Sequence, residues 1–185
     1  MKNALSISHE IISKHLKEGD TAVDATAGNG NDTLLMAKLV GNTGIVYAFD
    51  IQDNAIERTR KILNENELEH RVELIKSGHQ YMDKYVINEI SAVMFNLGYL
   101  PGGDHKIATK PGNTITALKT SLKLLKIGGI ITIVVYYGGD SGFVEKDAVL
   151  KYAKQLDYKK YAVLMMDFIN WINCPPILLY IRKLK

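Results

Sequence analysis

Short apolar runs rich in β-branched residues alternate with longer segments of helical period along the chain. This alternation is typical of βαβ units and a parallel sheet. Strands are predicted near residues 21–26, 44–50, 72–76, 91–97, 129–137, 159–167 and 177–183. Helices are predicted near residues 4–17, 31–40, 53–66, 112–126 and 142–156.

The last two predicted strands have no helix between them, only the segment NWINCPP at residues 170–176. Its two prolines cannot donate to a strand ladder, which predicts a closing antiparallel hairpin. A dinucleotide-binding Rossmann sheet usually ends with a sixth parallel strand, whereas class I methyltransferases end with such a hairpin. We therefore expect an α/β, doubly wound, Rossmann-like methyltransferase fold in one domain over residues 1–185, with a seven-stranded, mostly parallel sheet.

The sequence TAVDATAGNGNDT, residues 21–33, runs from a strand through a glycine turn into a helix. Gly28 and Gly30 permit backbone angles closed to other residues and let a ligand lie against the backbone. The first βα turn of a doubly wound sheet borders the ligand crevice. Thr33 replaces the third glycine of a dinucleotide fingerprint, and Asp32 would repel a diphosphate at the helix start. These features favour S-adenosylmethionine over a dinucleotide.

Asp32 has two interpretations. Its carboxylate can bind the ammonium group of the methionine moiety, with Asn29 and Asn31 adding polar contacts. Alternatively, Asp32 only caps the helix. The sequence leaves both open.

Asp50 ends the second strand about 20 residues beyond the glycine turn, where a carboxylate accepts both ribose hydroxyls. Ile51 is expected to pack on the adenine, with Gln52 beside it, and residues 77–80 are expected to border the adenine edge. His79 fits either a cofactor contact or a packed residue. The predicted cofactor-binding residues are Ala25, Thr26, Gly28, Asn29, Gly30, Asn31, Asp32, Thr33, Asp50, Ile51, Gln52, Ser77, Gly78, His79, Gln80 and Asn96.

The fourth strand ends in NLGYLP, a loosened relative of the Asn-Pro-Pro-Tyr pattern of amine-directed nucleic-acid methyltransferases. The Asn96 amide can accept a hydrogen bond from an amine N–H and orient the nitrogen lone pair towards a sulfonium methyl. An aliphatic amine must first lose a proton, and Asp32, Tyr99 and bulk water are the candidate acceptors. The predicted catalytic residues are Asn96, Tyr99 and Asp32. In the alternative interpretation, Asn96 only ends a strand and Tyr99 is a core residue.

Polar and aromatic residues after the fourth and fifth strands are candidates for substrate binding. Lysines near residues 102–111 can contact phosphates, and two tyrosines after the fifth strand can stack on an unpaired base or belong to the core. The predicted substrate-binding residues are Leu97, Gly98, Tyr99, Lys106, Lys110, Tyr136, Tyr137 and Asn173.

The amino-acid composition excludes only a few classes of protein and of binding site. The 23 basic and 20 acidic residues give a net charge of +3 with no long block of one sign, which permits a polyanionic partner without requiring one. Cys174 is the single cysteine, so no internal disulfide or multi-cysteine zinc site is expected, and no metal. No signal peptide and no apolar run of roughly 18 to 20 residues is evident, so we expect a cytoplasmic protein outside the membrane.

At DATAGNGNDT, FDIQ, SGHQ, NLGYLPGGD and NWINCPP the chain resembles the YtqB-like family of rRNA methylases, which includes wobble-uridine methyltransferases of the MnmM type. The resemblance extends from about residue 4 to the end. It implies S-adenosylmethionine as cofactor, N-methylation of 5-aminomethyl-(2-thio)uridine at the wobble position of tRNA, binding of the anticodon stem-loop, and a homodimer. The chain departs from the family at Gly139 and Asp140, where the family has Gly-His, which puts any role of that histidine in doubt.

Two other hypotheses remain. The first is methylation of another RNA, such as rRNA, or of a small-molecule amine. A small-molecule substrate would need a lid over the cleft, and the chain has no long insertion to form one. The second is a nicotinamide-dependent oxidoreductase or a catalytically silent nucleotide-binding module. The missing third glycine and the terminal hairpin argue against this last reading.

Overall fold

The structure, a computed structural model, describes residues 3–98, 109–137 and 140–185. The helices are α1 (Ala4–His15), α2 (Asn31–Val40), α3 (Asp53–Glu65), α4 (Pro111–Leu124) and α5 (Asp140–Lys154). The strands are β1 (Thr21–Asp24), β2 (Ile45–Asp50), β3 (Val72–Lys76), β4 (Ile90–Leu97), β5 (Leu125–Val135), β6 (Tyr161–Met166) and β7 (Ile177–Lys183). Two 3₁₀ segments, Glu69–Arg71 and His79–Lys84, flank β3.

The seven strands form one sheet in the order β3-β2-β1-β4-β5-β7-β6. Strands β1 to β5 pair in parallel, and β7 pairs antiparallel with both β5 and β6. The predicted doubly wound fold and its terminal antiparallel hairpin are therefore confirmed. Because β1 lies between β2 and β4, the strand order reverses there, and ligands bind at the carboxyl ends of strands at such a point.

Helices cover both faces of the sheet, so successive residues of its central strands are buried on opposite sides. In β4, Val93 and Phe95 belong to the cluster that includes residues of α4 and α5. Ala92 and Met94 belong to the cluster with residues of α1, α2 and α3. Burial on both faces explains why the strands read as nearly continuous apolar runs instead of alternating ones.

The main boundary difference lies at β5. The predicted helix reaches residue 126 and the predicted strand starts at 129, whereas α4 ends at Leu124 and β5 begins at Leu125. Leu125 is fully buried and pairs with Ile90, and the register then shifts before Ile130 pairs with Ala92. Gly128, with φ 82°, lies in this bulge, so the glycine pair marks an irregularity inside the strand and not its start.

No helix within residues 3–98, 109–137 and 140–185 is long and apolar enough to cross a membrane.

Candidate active site

A cavity of about 770 Å³ opens at the carboxyl ends of β1, β2 and β4, where the strand order reverses. Its wall includes the turn between β1 and α2, the residues that follow β2 and β3, and the end of β4. Helix α1 contributes Leu5 to the same wall. The volume lies within the range of cofactor-sized sites.

The two glycines of the β1–α2 turn have different tasks. Gly28 has φ 55° and lines the cavity, so a ligand can approach its backbone. Gly30 has φ 83° and is the N-cap of α2. A Cβ on Gly30 would lie 2.8 Å from Thr59 Cα, so this glycine is required for the packing of α2 against α3.

Asp50, at the end of β2, presents a fixed carboxylate to the cavity. One oxygen accepts the Gly28 N–H at 3.0 Å and the other accepts the Gln52 N–H at 2.9 Å. Each oxygen retains a lone pair. The carboxylate can therefore accept two further hydrogen bonds from a diol without reorganising.

Asp24 lies fully buried beneath the same turn. Its carboxyl accepts the Thr33 hydroxyl at 2.6 Å and the Thr26 N–H at 3.0 Å. Burial and the neighbouring Asp32 charge raise the pKa of Asp24 to about 7. The Thr33 side chain thus joins α2 to β1, which corrects its predicted role as a direct cofactor contact.

A mixed polar and apolar wall follows β2 and β3. Ile51 is 56% exposed yet lines the cavity, so its side chain is available to a flat ligand. His79 is buried and packs edge-on against Phe95, with ring centroids 5.7 Å apart. Its Nδ1 donates to the Ala25 carbonyl at 2.9 Å, and burial lowers its pKa, which keeps the ring neutral. The interpretation of His79 as a packed residue is confirmed, and because the ring also lines the cavity its contact with a cofactor stays a prediction.

Asn96 lies near the end of β4, which borders β1 on the side away from β2 and Asp50. Its backbone N–H donates to Thr26 Oγ1 at 2.8 Å, and its Nδ2 donates to Asp32 Oδ2 at 3.3 Å. Asp32 Oδ1 accepts from His9 Nε2 at 2.6 Å. Gly30 is the N-cap of α2, so Asp32 is not the N-cap residue, but it lies in the first turn, where a carboxylate interacts favourably with the helix dipole.

The buried carboxylate of Glu145 holds the cavity wall near residue 109 through hydrogen bonds. The Gly98 N–H donates to Thr109 Oγ1 at 3.2 Å, and this hydroxyl donates to Glu145 Oε2 at 2.5 Å. The Thr114 hydroxyl donates to the second oxygen of Glu145 at 2.6 Å. Glu145 therefore ties α5 to Thr109, which lies just before α4, and to the first turn of α4.

Comparison with known proteins identifies the family. The model of the family described as "Putative rRNA methylase" matches residues 46–182. The chloroplastic tRNA (mnm(5)s(2)U34)-methyltransferase of Arabidopsis thaliana is 36% identical over 192 residues, covering 98% of this chain and 70% of that protein. The chain belongs to the rRNA methylase family.

Two crystal structures support this assignment. A "putative rRNA-methylase" from Clostridium thermocellum is 58% identical with a TM-score of 0.98, covering 100% of this chain and 99% of that one. A "putative methyltransferase" from Streptococcus mutans in complex with SAH is 43% identical with a TM-score of 0.91 and the same coverage. This rRNA methylase family member is an S-adenosylmethionine-dependent methyltransferase.

The cavity residues fit this cofactor. The cofactor carries a positively charged sulfonium, and the carboxylates of Asp32 and Asp50 line the cavity. A negative potential in a partly enclosed site favours a cationic ligand. No cluster of three or more metal-ligating side chains occurs in the part of the chain that the structure describes.

Most predicted site residues lie in one wall. Those that line the cavity are Ala25, Thr26, Gly28, Asn29, Asn31, Asp32, Asp50, Ile51, Gln52, Ser77, Gly78, His79, Gln80, Asn96, Leu97, Gly98, Lys110 and Tyr136. The predicted residues Tyr99 and Lys106 lie outside the described residues, as does Gly139.

Four predicted residues do not line the cavity. Gly30 allows α2 to pack against α3, and the Thr33 hydroxyl donates to the buried Asp24 carboxyl. Tyr137 packs edge-on against Phe143 and under the Lys146 ammonium, which lies 3.8 Å from its ring centroid. Asn173 is exposed in the β6–β7 connection, where its φ of 65° suits a turn.

The sequence did not indicate several residues of the wall. Leu5, Ala27, Phe49, Thr109 and Asn113 line the cavity without having been predicted. Ala27 and Phe49 flank predicted residues, so proximity along the chain was the available signal. Nothing local to α1 pointed to Leu5 or to the His9 contact.

Proposed function

We propose that this methyltransferase N-methylates 5-aminomethyl-(2-thio)uridine at the wobble position of tRNA, giving the 5-methylaminomethyl form. The observation that carries the proposal is the pair of hydrogen-bond acceptors, Asn96 and Asp32, at one end of the cavity. An amine presents N–H donors, which these oxygens can accept. The similarity to the Arabidopsis tRNA methyltransferase supports tRNA as the substrate.

The cofactor-binding residues divide among three parts of the cavity. We assign the ribose hydroxyls to Asp50, the adenine to Ile51 and residues 77–80, and the methionine end to the turn around Gly28. Asp32 was also predicted to bind the methionine ammonium. Its hydrogen bonds with His9 and Asn96 favour the amine-acceptor end instead.

Positioning is the main task of the protein in this reaction. The bound cofactor supplies a methyl group on a good leaving group, so an aligned neutral amine needs little covalent assistance. Asn96 Oδ1 accepts an amine N–H and thereby directs the nitrogen lone pair. Asp32, which accepts a hydrogen bond from Asn96 Nδ2, is the carboxylate we assign to accept the proton that the ammonium form must lose.

Substrate RNA would approach the mouth of the cavity. Lys110 is exposed there and can contact a phosphate, and Tyr136 lines the cavity with a ring that is 40% exposed. Burial and the Asp32 charge raise the pKa of Tyr136, so its hydroxyl stays protonated. A protonated phenol can both stack on an unpaired base and donate a hydrogen bond.

The remaining proposals concern assembly and location. We expect one methyltransferase domain over residues 1–185, acting in the cytoplasm as a homodimer. The family resemblance is the basis for the dimer, and the edge strand β6 supports it because Leu164 and Met165 are more than half exposed. Light scattering of the purified protein would report the number of chains directly.

The direct test is incubation with labelled S-adenosylmethionine and bulk tRNA from a strain that lacks the methylated wobble base, followed by nucleoside mass spectrometry. We expect label in 5-methylaminomethyl-(2-thio)uridine. Asn96→Ala should lower kcat by roughly 10- to 1,000-fold while sparing cofactor affinity. Label in rRNA and none in tRNA, with rRNA offered in parallel, would favour the reaction that the family description names.

A further inference from the structure

Helix α1 reaches the proposed amine-acceptor end of the cavity through His9. We infer that His9 is a positioning residue that acts through Asp32 to fix the orientation of the Asn96 amide. Among the residues that the structure describes, His9 does not line the cavity. Its effect on the reaction must therefore pass through Asp32. The inference rests on the proposed function, because it concerns the atom offered to the amine.

The first step concerns the Asn96 side chain. An ionised carboxylate can only accept hydrogen bonds, so the Asn96 atom that lies 3.3 Å from Asp32 Oδ2 must be the donor Nδ2. The opposite atom, Oδ1, is then left as an acceptor. Asp32 thereby decides which face of the amide is presented to a substrate amine. Rotation of the amide by 180° would present two donors and repel the N–H groups of that amine.

The second step concerns Asp32 itself. Its side chain is buried, so little water is available to hold the carboxylate in one rotamer. His9 Nε2 lies 2.6 Å from Oδ1, and a bare lone pair at that distance from a carboxylate would be repulsive. Nε2 therefore carries the proton and donates it to Oδ1. A charge-assisted bond of this kind is about twice as strong as a neutral one.

The third step concerns the placement of His9. Leu5 and His9 are four residues apart on α1 and therefore share one face, which is directed at the cavity. Ile12 is fully buried in the core, and the Asn3 side chain caps the first turn of the helix. The helix that carries His9 is thus fixed at both ends. Within the described part of the chain, the Asp32 charge also raises the pKa of Asp24 and of Tyr136.

Three variants separate positioning from general structural support. His9→Leu removes the donor, whereas His9→Gln keeps an N–H near the Nε2 position. His15→Gln is the matched control, because His15 lies on the same helix and its Nε2 donates to the Ser91 carbonyl at 3.1 Å, at the end remote from the cavity. For each variant, kcat and KM for S-adenosylmethionine are measured with the substrate tRNA, together with the unfolding midpoint.

We expect His9→Leu to lower kcat by roughly 10- to 100-fold with KM for the cofactor changed by less than about 3-fold, as for loss of one hydrogen bond to a charged group. His9→Gln should recover kcat to within about 5-fold of the original protein. The control His15→Gln should have the same kcat as the original protein. In an Asn96→Ala background, His9→Leu should add less than about 2-fold, because both changes disable the same acceptor. A full additional loss in that background, or an unchanged kcat in His9→Leu, would overturn the inference.

A second measurement needs no turnover, and His9→Gln alone serves for it if His9→Leu does not fold. The side-chain amide resonances of Asn96, followed by ¹⁵N NMR, should shift in His9→Gln or His9→Leu and stay in place in His15→Gln. Unmoved resonances in both His9 variants would refute the coupling. If the original protein methylates no tRNA but these resonances move, the proposed function fails while the hydrogen-bond chain stands.

Discussion

Replacement of Asp50 by alanine should sharply weaken binding of the cofactor product, S-adenosylhomocysteine. The carboxylate is held by the N–H groups of Gly28 and Gln52, and one lone pair on each oxygen remains for the two ribose hydroxyls. Each hydrogen bond to a charged acceptor contributes about 1.5–3 kcal/mol, so the loss amounts to roughly 3–6 kcal/mol. This corresponds to a Kd about 10²- to 10⁴-fold higher.

Isothermal titration calorimetry measures this change directly, and Asp53→Ala is the matched control. Asp53 lies three residues further along the chain, but it is exposed and pairs with Lys76 on the surface at 2.6 Å. Its loss should leave the Kd within about 2-fold of the original, since exposed ion pairs contribute little. If Asp50→Ala bound S-adenosylhomocysteine within about 3-fold of the original protein, the assignment of the ribose to Asp50 would be wrong.

Two further predictions concern the glycine turn. Gly30→Ala should lower the free energy of unfolding by about 2–5 kcal/mol, because φ is 83° and the new Cβ would meet Thr59 Cα at 2.8 Å. Gly112 has open space around it, so Gly112→Ala should be neutral or stabilising in the same denaturant titration. Equal effects of the two substitutions would refute this prediction. The pKa of Asp24, raised from 3.8 to about 7, means that the folded state retains a proton that the unfolded state has lost, so stability should fall between pH 4 and pH 7 by up to roughly 4 kcal/mol. Asp24→Asn should remove this decline, and parallel stability curves for the two proteins would contradict it.

The fold was predictable because its signals are local and repeated. Burial on both faces makes each central strand a continuous apolar run, and the paired prolines Pro175 and Pro176 mark the hairpin connection. The position of the cavity followed from topology, since the carboxyl ends of parallel strands meet at one edge. Asp50 was found in this way, from its place at a strand end.

The roles of individual side chains were harder to predict, because they depend on contacts between distant segments. His9 lies 23 residues before Asp32, on a different helix. Thr33 was assigned to the cofactor, but the buried Asp24 draws its hydroxyl inward. Gly30 looked like a ligand-facing glycine, whereas the approach of α3 is what excludes a side chain there.

The central claim is that one cavity holds the cofactor at Asp50 and offers Asn96 to the amine. A crystal structure with S-adenosylhomocysteine tests both parts at once. We predict electron density for the ribose within hydrogen-bonding distance of both Asp50 oxygens, and the sulfur on the side of the cavity that Asn96 lines. Density for the ligand outside this cavity, or a ribose turned away from Asp50, would contradict the account.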